Sequence, residues 1–188
     1  MEGDAIRELY YIVAARNVPS LYEHGILCRS RLVELPENQV DLSDAEVQTI
    51  RATKLVSGRP LHSYANLYFN ARNPMLFRLM QESRDGGPVP VVVRVIHSAL
   101  EIAGTVVSTA NAATSRSEFL PPEEGIAALD ARMVFTQSWN VSWVERDYYD
   151  PEEWREIRRE RVARICAEVL VPDKVPPSYL QGCYVPYV

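Results

Sequence analysis

Short apolar runs of two kinds alternate with polar punctuation along the chain. Leu9-Tyr10-Tyr11-Ile12-Val13 is rich in β-branched and aromatic residues and predicts a strand. Asn17, Pro19, an apolar Leu21 and then Gly25 mark a short helix with its cap and its stop. Ser43-Asp44-Ala45-Glu46 fits a capping box, with Ser43 taking an orphan N–H and Glu46 reaching back; the helix it opens carries Val47, Ile50 and Arg51 until Ser57-Gly58-Arg59-Pro60 breaks it. Tyr64 to Phe69 reads as a strand, and Asn73-Pro74 caps a helix whose apolar stripe is Met75, Leu76 and Leu79. Asp85-Gly86-Gly87-Pro88 is a turn, followed by a buried strand from Val89 to Ile96 and another from Gly104 to Ser108. Pro121 to Asp130 predicts a helix and Met133 to Phe135 a short strand. Asp150-Pro151-Glu152-Glu153 places acids at the positive end of a helix running to about Arg164, and Cys166 to Val171 is the last strand, ended by Pro172 and Pro176-Pro177. Strands and helices mix without regular βαβ alternation, so the expected class is α+β with a mixed central sheet and short helices. No repeat or linker interrupts the pattern, and residues 1–188 are expected to form a single domain.

Composition narrows the functional classes. The chain has 188 residues, 47% of them hydrophobic, and a formal charge of −5, which suits one sizeable core. No apolar run approaches the roughly 18 residues of a membrane span. Met1 to Glu8 carries Glu2, Asp4 and Glu8 where a leader would be basic and then apolar, so a cytoplasmic protein without membrane contact is expected. Cys28, Cys166 and Cys183 are far apart, as are His24, His62 and His97, so neither a disulfide framework nor a metal site is expected. An acidic total excludes a uniformly basic nucleic-acid coat and leaves room for a local basic groove.

Nucleotide-loop, nucleophile-elbow, zincin and kinase signatures are absent. What stands out is polarity on apolar elements. Glu168 interrupts a β-run, on the same face as Cys166 and Leu170, where a carboxylate costs several kcal/mol to desolvate unless paired; an edge position facing water is the plain alternative. Arg51 follows Ile50 on the capped helix, where a solvated helix face is the plain reading. Leu61 to Met75 gathers asparagines, tyrosines and an arginine around one strand end, a position suited to ligand contact. Trp139, Trp143, Tyr148 and Tyr149 lie near Arg146, ahead of an arginine-rich helix; such interleaving can stack bases and hold phosphates, although Glu152, Glu153, Glu156 and Glu160 offset much of that charge as surface partners.

Taken in order, these segments resemble the DarT family, bacterial toxins that use NAD to ADP-ribosylate a base in single-stranded DNA. The family's opening Tyr-His-Ile-Thr, its Asn-Leu/Val-Pro-Ser segment and a following Gly are matched by Tyr10 to Val13, Asn17-Val18-Pro19-Ser20 and Gly25. Its long Leu-His-Asp-Tyr…Tyr-Phe…Pro-Met run is matched by Leu61 to Met75, its Asn-Ala-Ala by Asn111-Ala112-Ala113, and its closing Ala-Glu-Val/Phe-Leu-Val-Pro by Ala167 to Pro172. The departures are Tyr11 where many members have His, Val13 for Thr, Ser63 for Asp, and Thr109-Ala110 for Asp-Gly.

The resemblance implies an ADP-ribosyltransferase-like fold, NAD as co-substrate, no metal, and Glu168 and Arg51 as the catalytic pair. It places NAD contacts on Tyr11, Ile12, Val13, Ser20, Cys28, Arg51, Tyr68 and Met75 and puts Asn111 in the active-site lining; Asn111 and the aromatic segment with Trp139, Trp143 and Tyr148 are the candidate DNA contacts. It implies single-stranded DNA as partner and a macrodomain-type antitoxin of the DarG kind, expected on a separate chain because 188 residues hold only the transferase. The Tyr-Tyr opening and Asn66-Leu67-Tyr68-Phe69 lean towards guanine as the acceptor, with thymine the other choice. Arg29, Arg31, Arg51, Lys54, Arg59 and Arg72 are expected to border the NAD cleft as the local basic groove. The rivals are a transferase acting on RNA or protein, a catalytically dead nucleic-acid-binding module, and a plain α+β domain whose strand glutamate is merely satisfied.

Overall fold

The computed structural model of the protein describes residues 6–35, 39–136 and 149–185. In chain order the elements are β1 (Glu8–Ala14), α1 (Val18–His24), β2 (Ile26–Leu27), α2 (Ala45–Ala52), β3 (Leu55–Val56), β4 (Arg59–Pro60), β5 (Tyr64–Tyr68), α3 (Pro74–Arg84), β6 (Pro90–Ile96), β7 (Val106–Ser108), β8 (Phe119–Leu120), α4 (Pro122–Ala128), α5 (Ala131–Val134), α6 (Pro151–Ile165), β9 (Glu168–Pro172), β10 (Lys174–Val175) and β11 (Leu180–Tyr184). Among the described residues, seven strands form one sheet in the order β11-β6-β1-β5-β9-β7-β8. The class is α+β, as expected. The sheet, however, does not mix directions: every described pairing in it is antiparallel.

Branched side chains build the centre of this sheet. Val91, Val93 and Val95 of β6 lie with Leu9 and Val13 of β1 and with Val169 and Val171 of β9 in the main core. On the opposite face Ile12, Tyr68, Val92 and Cys166 pack against Leu76 and Leu79 of α3. Alternation along a pleated strand is what allows one run to serve both cores.

One irregularity positions the site. β1 pairs with β6 over its whole length, from Glu8 opposite Ile96 to Ala14 opposite Pro90. Its register with β5 is the single match of Tyr10 to Tyr68. β5 instead pairs fully with β9, from Tyr64 opposite Pro172 to Tyr68 opposite Glu168. The two central strands therefore meet at one point and part, and the opening lies beside Ile12, Val13 and Asn66.

Several local expectations need correction. The cap of α2 is Asp44, whose carboxylate accepts the N–H groups of Glu46 and Val47, while the Ser43 hydroxyl accepts from Arg29. Asp is as good a cap as Ser, and the helix simply starts one residue later. Residues 133–135 are not a strand: Asp130 accepts from the N–H groups of Arg132 and Met133 and turns 131–134 into α5. The last central strand begins at Glu168, since Cys166 still ends α6. β11 escaped the sequence because Gly182 interrupts its pattern; its φ of 140° coincides with a register shift against β6.

Gly125 is a buried residue of α4, and a Cβ there would lie 2.4 Å from Cβ of Val107 on β7. Gly125→Ala is expected to destabilise the fold by about 1–3 kcal/mol through overpacking, reversing the sign that helix propensity alone gives. A urea titration of the variant checks this. No helix among the described residues is long and apolar enough to cross a membrane.

Candidate active site

β9 delivers the central group. Glu168 stands directly opposite Tyr68 on β5 and Ser108 on β7, so it occupies the interior of the sheet with no exposed surface. A carboxylate this deep requires compensation, and it is supplied from two distant segments. Arg51, on the inner side of α2, places Nη1 at 3.1 and 3.0 Å from Oε1 and Oε2. The Ala112 backbone N–H donates to Oε1 at 2.9 Å. Arg51 is itself only 7% exposed, whereas Ile50 beside it is 48% exposed, so α2 turns its arginine inward and an isoleucine outward.

Besides Arg51, the titratable groups packed near Glu168 include a phenol and a thiol. Burial, and then the Glu168 charge, hold the Tyr68 phenol well above its ordinary value, and its hydroxyl donates to Sδ of Met75 at 3.1 Å. The same two causes push the Cys166 thiol up to about 12. Across the cleft, burial and Asp41 push the Tyr11 phenol up to about 12 against the opposing effect of Arg29. Tyr11, Tyr68 and Cys166 thus remain protonated near neutral pH.

A cleft of about 680 Å³ opens over this face of the sheet. Of the residues expected to meet NAD, Tyr11, Ile12, Val13, Ser20, Arg51, Tyr68 and Met75 line it, and so does Asn111. Glu168 lies behind Arg51 on the face shared with Cys166 and Tyr68, both of which line the cleft. Cys28 does not line it: the side chain is 1% exposed, burial raises its thiol pKa, and its N–H donates to the Asp173 carbonyl. Trp139, Trp143 and Tyr148 lie outside the described residues.

The basic border is smaller than expected. Arg29 and Arg51 line the cleft, but Arg31 pairs with Glu34, Arg59 pairs with Asp173, Lys54 donates to backbone carbonyls, and Arg72 is exposed on the turn before α3. Local partners intercept most of the cations that the sequence brought near.

Other side chains shape the rim without any motif to announce them. Asn17 makes no cap bond to α1; its amide donates to the Val40 carbonyl at 2.8 Å and accepts the Val40 N–H at 3.0 Å. Arg29 holds Asp41 and Ser43, and Arg78 donates to the Leu42 carbonyl at 2.9 Å, so residues 40–43 form a strap over the cleft. Only the spacing of Asn17 and Arg78 to that strap in three dimensions reveals these roles. Among the described residues no group of His, Cys, Asp and Glu could hold a metal ion.

His62 lines the same rim, its Nε2 3.0 Å from Oε1 of Gln48. Burial, and then the charges of Arg29 and Arg51, lower its pKa from the ordinary 6.5. For a base with a depressed folded-state pKa, the unfolded chain takes up the proton first. Its share of stability is therefore intact above pH 6.5 and lost as pH falls from there to the folded value. His62→Gln is expected to reduce the fall in urea midpoint between pH 7.5 and about pH 5 relative to the native protein.

A buried carboxylate–arginine pair lies behind a cleft at the parting of two central strands, with Arg51 in its lining. Comparisons with known proteins show the family in which this arrangement belongs. Residues 10–187 match the model of the family described as "ssDNA thymidine ADP-ribosyltransferase, DarT". This chain belongs to the DarT family. It is 32% identical over 180 residues to a DNA ADP-ribosyl transferase–DNA ADP-ribosyl glycohydrolase fusion protein of Thermosipho africanus, covering 95% of this chain and 42% of that protein. It is 28% identical over 196 residues to a DNA ADP-ribosyl transferase of Escherichia coli O127:H6, covering 94% of this chain and 79% of the relative. The solved structure of Thermus sp. 2.9 DarT in complex with ADP-ribosylated ssDNA superposes with a TM-score of 0.75 at 22% identity, covering 96% of this chain and 82% of that one, a likeness of fold.

Proposed function

We propose that this chain transfers ADP-ribose from NAD to a base of single-stranded DNA and releases nicotinamide. The observation that carries the reading is the buried Arg51–Glu168 pair on the cleft face of the sheet, where β1 and β5 part. In the transfer, the bond from the ribose anomeric carbon to nicotinamide breaks, a bond from that carbon to a base nitrogen forms, and the base's proton passes to solvent. Positive charge develops on the ribose between the two events. A fixed carboxylate in a water-poor site stabilises such charge, because its dipoles and ion pair need no reorganisation as the reaction proceeds. Glu168 supplies that charge. Arg51 spends Nη1 on Glu168 and, as a permanently charged guanidinium, orients the carboxylate and presents its cleft side to substrate; it is a poor proton acceptor. Tyr11 and Tyr68, held protonated, offer hydroxyl donors along the wall. NAD contacts on Tyr11, Ile12, Val13, Ser20 and Met75, and a DNA contact on Asn111, are supported by their places on the cleft.

The acceptor must be unstacked, which favours a single strand. The family description names thymidine, and that is the first base to test. The Tyr10-Tyr11 opening and Asn66 beside Leu67 favour guanine as the second. The same reading makes the chain a cytoplasmic toxin, held in check by an ADP-ribosyl glycohydrolase of macrodomain type; the Thermosipho africanus relative carries a DNA ADP-ribosyl glycohydrolase in its name. The test supplies labelled NAD with single-stranded DNA, duplex DNA, RNA and protein, including oligonucleotides that lack thymine or lack guanine. Label on single strands, lost when one base is omitted, is expected. Label confined to RNA or protein moves the chain to a different acceptor class.

A further inference from the structure

α2 ends in a second cation that the reaction, as described, does not use. Lys54 follows Arg51 by three residues, its N–H donates to the Arg51 carbonyl, and its own carbonyl accepts the Leu61 N–H, so its backbone is tied on both sides. Its ammonium reaches the turn 111–114, donating to the Ala112 carbonyl at 2.9 Å and the Thr114 carbonyl at 2.5 Å. Ala112, whose carbonyl is gripped, is the residue whose N–H donates to Oε1 of Glu168. The turn is anchored at its start by the Asn111 N–H on the Ala163 carbonyl of α6, and Asn111 Oδ1 accepts the Ala113 N–H.

We infer that Lys54 is a positioning residue for the transfer: by holding the turn 111–114 it fixes the Ala112 N–H on Glu168, so that one helix end orients the carboxylate from both sides. This rests on the transferase reading of the site. The geometry explains why a cation is used. A Lys ammonium carries three donors and suits two carbonyls that converge from one turn. Its lysine pays a desolvation penalty, and burial followed by the nearby Arg51 charge lowers its pKa while Glu168 acts in the opposite sense. A surface lysine with no task would avoid that environment. Ala112, fully buried between Val56, Leu61, Tyr64 and Leu170, leaves the turn little room to find another partner.

The experiment compares the native protein with Lys54→Met and Lys54→Arg for label transfer from NAD to a thymine- and guanine-containing single-stranded oligonucleotide, measuring kcat and the KM of each substrate. Lys54→Met is expected to lower kcat about 10- to 100-fold with both KM values nearly unchanged, since a displaced carboxylate harms the transition state more than binding. Lys54→Arg, which can span two carbonyls, is expected to restore kcat to within about 5-fold of native, a recovery that loss of packing alone would not produce. Should Lys54→Met fail to fold, Lys54→Gln, too short to reach both carbonyls, gives the same comparison. An unchanged kcat in Lys54→Met, or a raised KM with kcat intact, overturns the inference, the latter because it would place Lys54 on a substrate. Absence of transfer by the native protein on any oligonucleotide overturns the transferase reading itself, which keeps the two failures distinct.

Discussion

Glu168→Gln is expected to fold and to lose about 10²–10³-fold in kcat for transfer of ADP-ribose from NAD. Glutamine preserves shape, and its amide oxygen can still accept the Ala112 N–H that Glu168 accepts at 2.9 Å. What disappears is the negative charge. Arg51 lines the cleft, so when its partner becomes neutral it can still reach water. The structural cost is therefore contained, and the loss falls on the step in which positive charge builds on the ribose. Steady-state kinetics beside a thermal melt separate the two effects; native-level transfer by a folded Glu168→Gln protein would remove Glu168 from the reaction.

Arg51→Ala produces the second large effect, and it is asymmetric with the first. Here the unpaired group is Glu168, which has no exposed surface in the native protein. Removing one member of a buried ion pair and stranding the other costs about 3–5 kcal/mol. The variant is expected to lose both activity and stability, in contrast with Glu168→Gln. The cycle adds a sharper demand. Arg51→Ala combined with Glu168→Gln removes both charges, so its loss of stability is expected to fall short of the sum of the single losses by about 1–3 kcal/mol. Additive losses in a urea titration would mean that the 3.0 and 3.1 Å contacts carry little coupling.

These residues differ in how far the sequence betrays them. Glu168 is legible as an anomaly, a carboxylate inside a β-run, but the sequence alone leaves open whether it faces water or a partner; its satisfaction by Arg51, 117 residues away, belongs to the tertiary fold. Arg51 was legible only through family resemblance. Its helix turns Ile50 to solvent and the arginine inward, the reverse of the amphipathic pattern from which a buried face is read. Lys54 was legible only as one cation of a basic border; its grip on the turn 111–114 belongs to the tertiary fold. Cys28 was named an NAD contact by family position alone; its side chain is 1% exposed and is not among the residues that line the cleft. Strands with unbroken branched runs, such as β6, were read correctly because local pattern and final burial agree there. The capping of α2 and the existence of α5 turned on single aspartates whose cap bonds a pattern of apolar residues does not contain.

The reaction product is the most direct witness to the chemistry of the cleft. Single-stranded DNA incubated with NAD and the native protein, then digested and analysed as nucleosides by mass spectrometry, is expected to contain one base carrying ADP-ribose. The adduct is expected to be absent when Glu168→Gln replaces the native protein. Unmodified nucleosides with the native protein, or an adduct formed equally well by the variant, would contradict the claim that this cleft transfers ADP-ribose to DNA by way of Glu168.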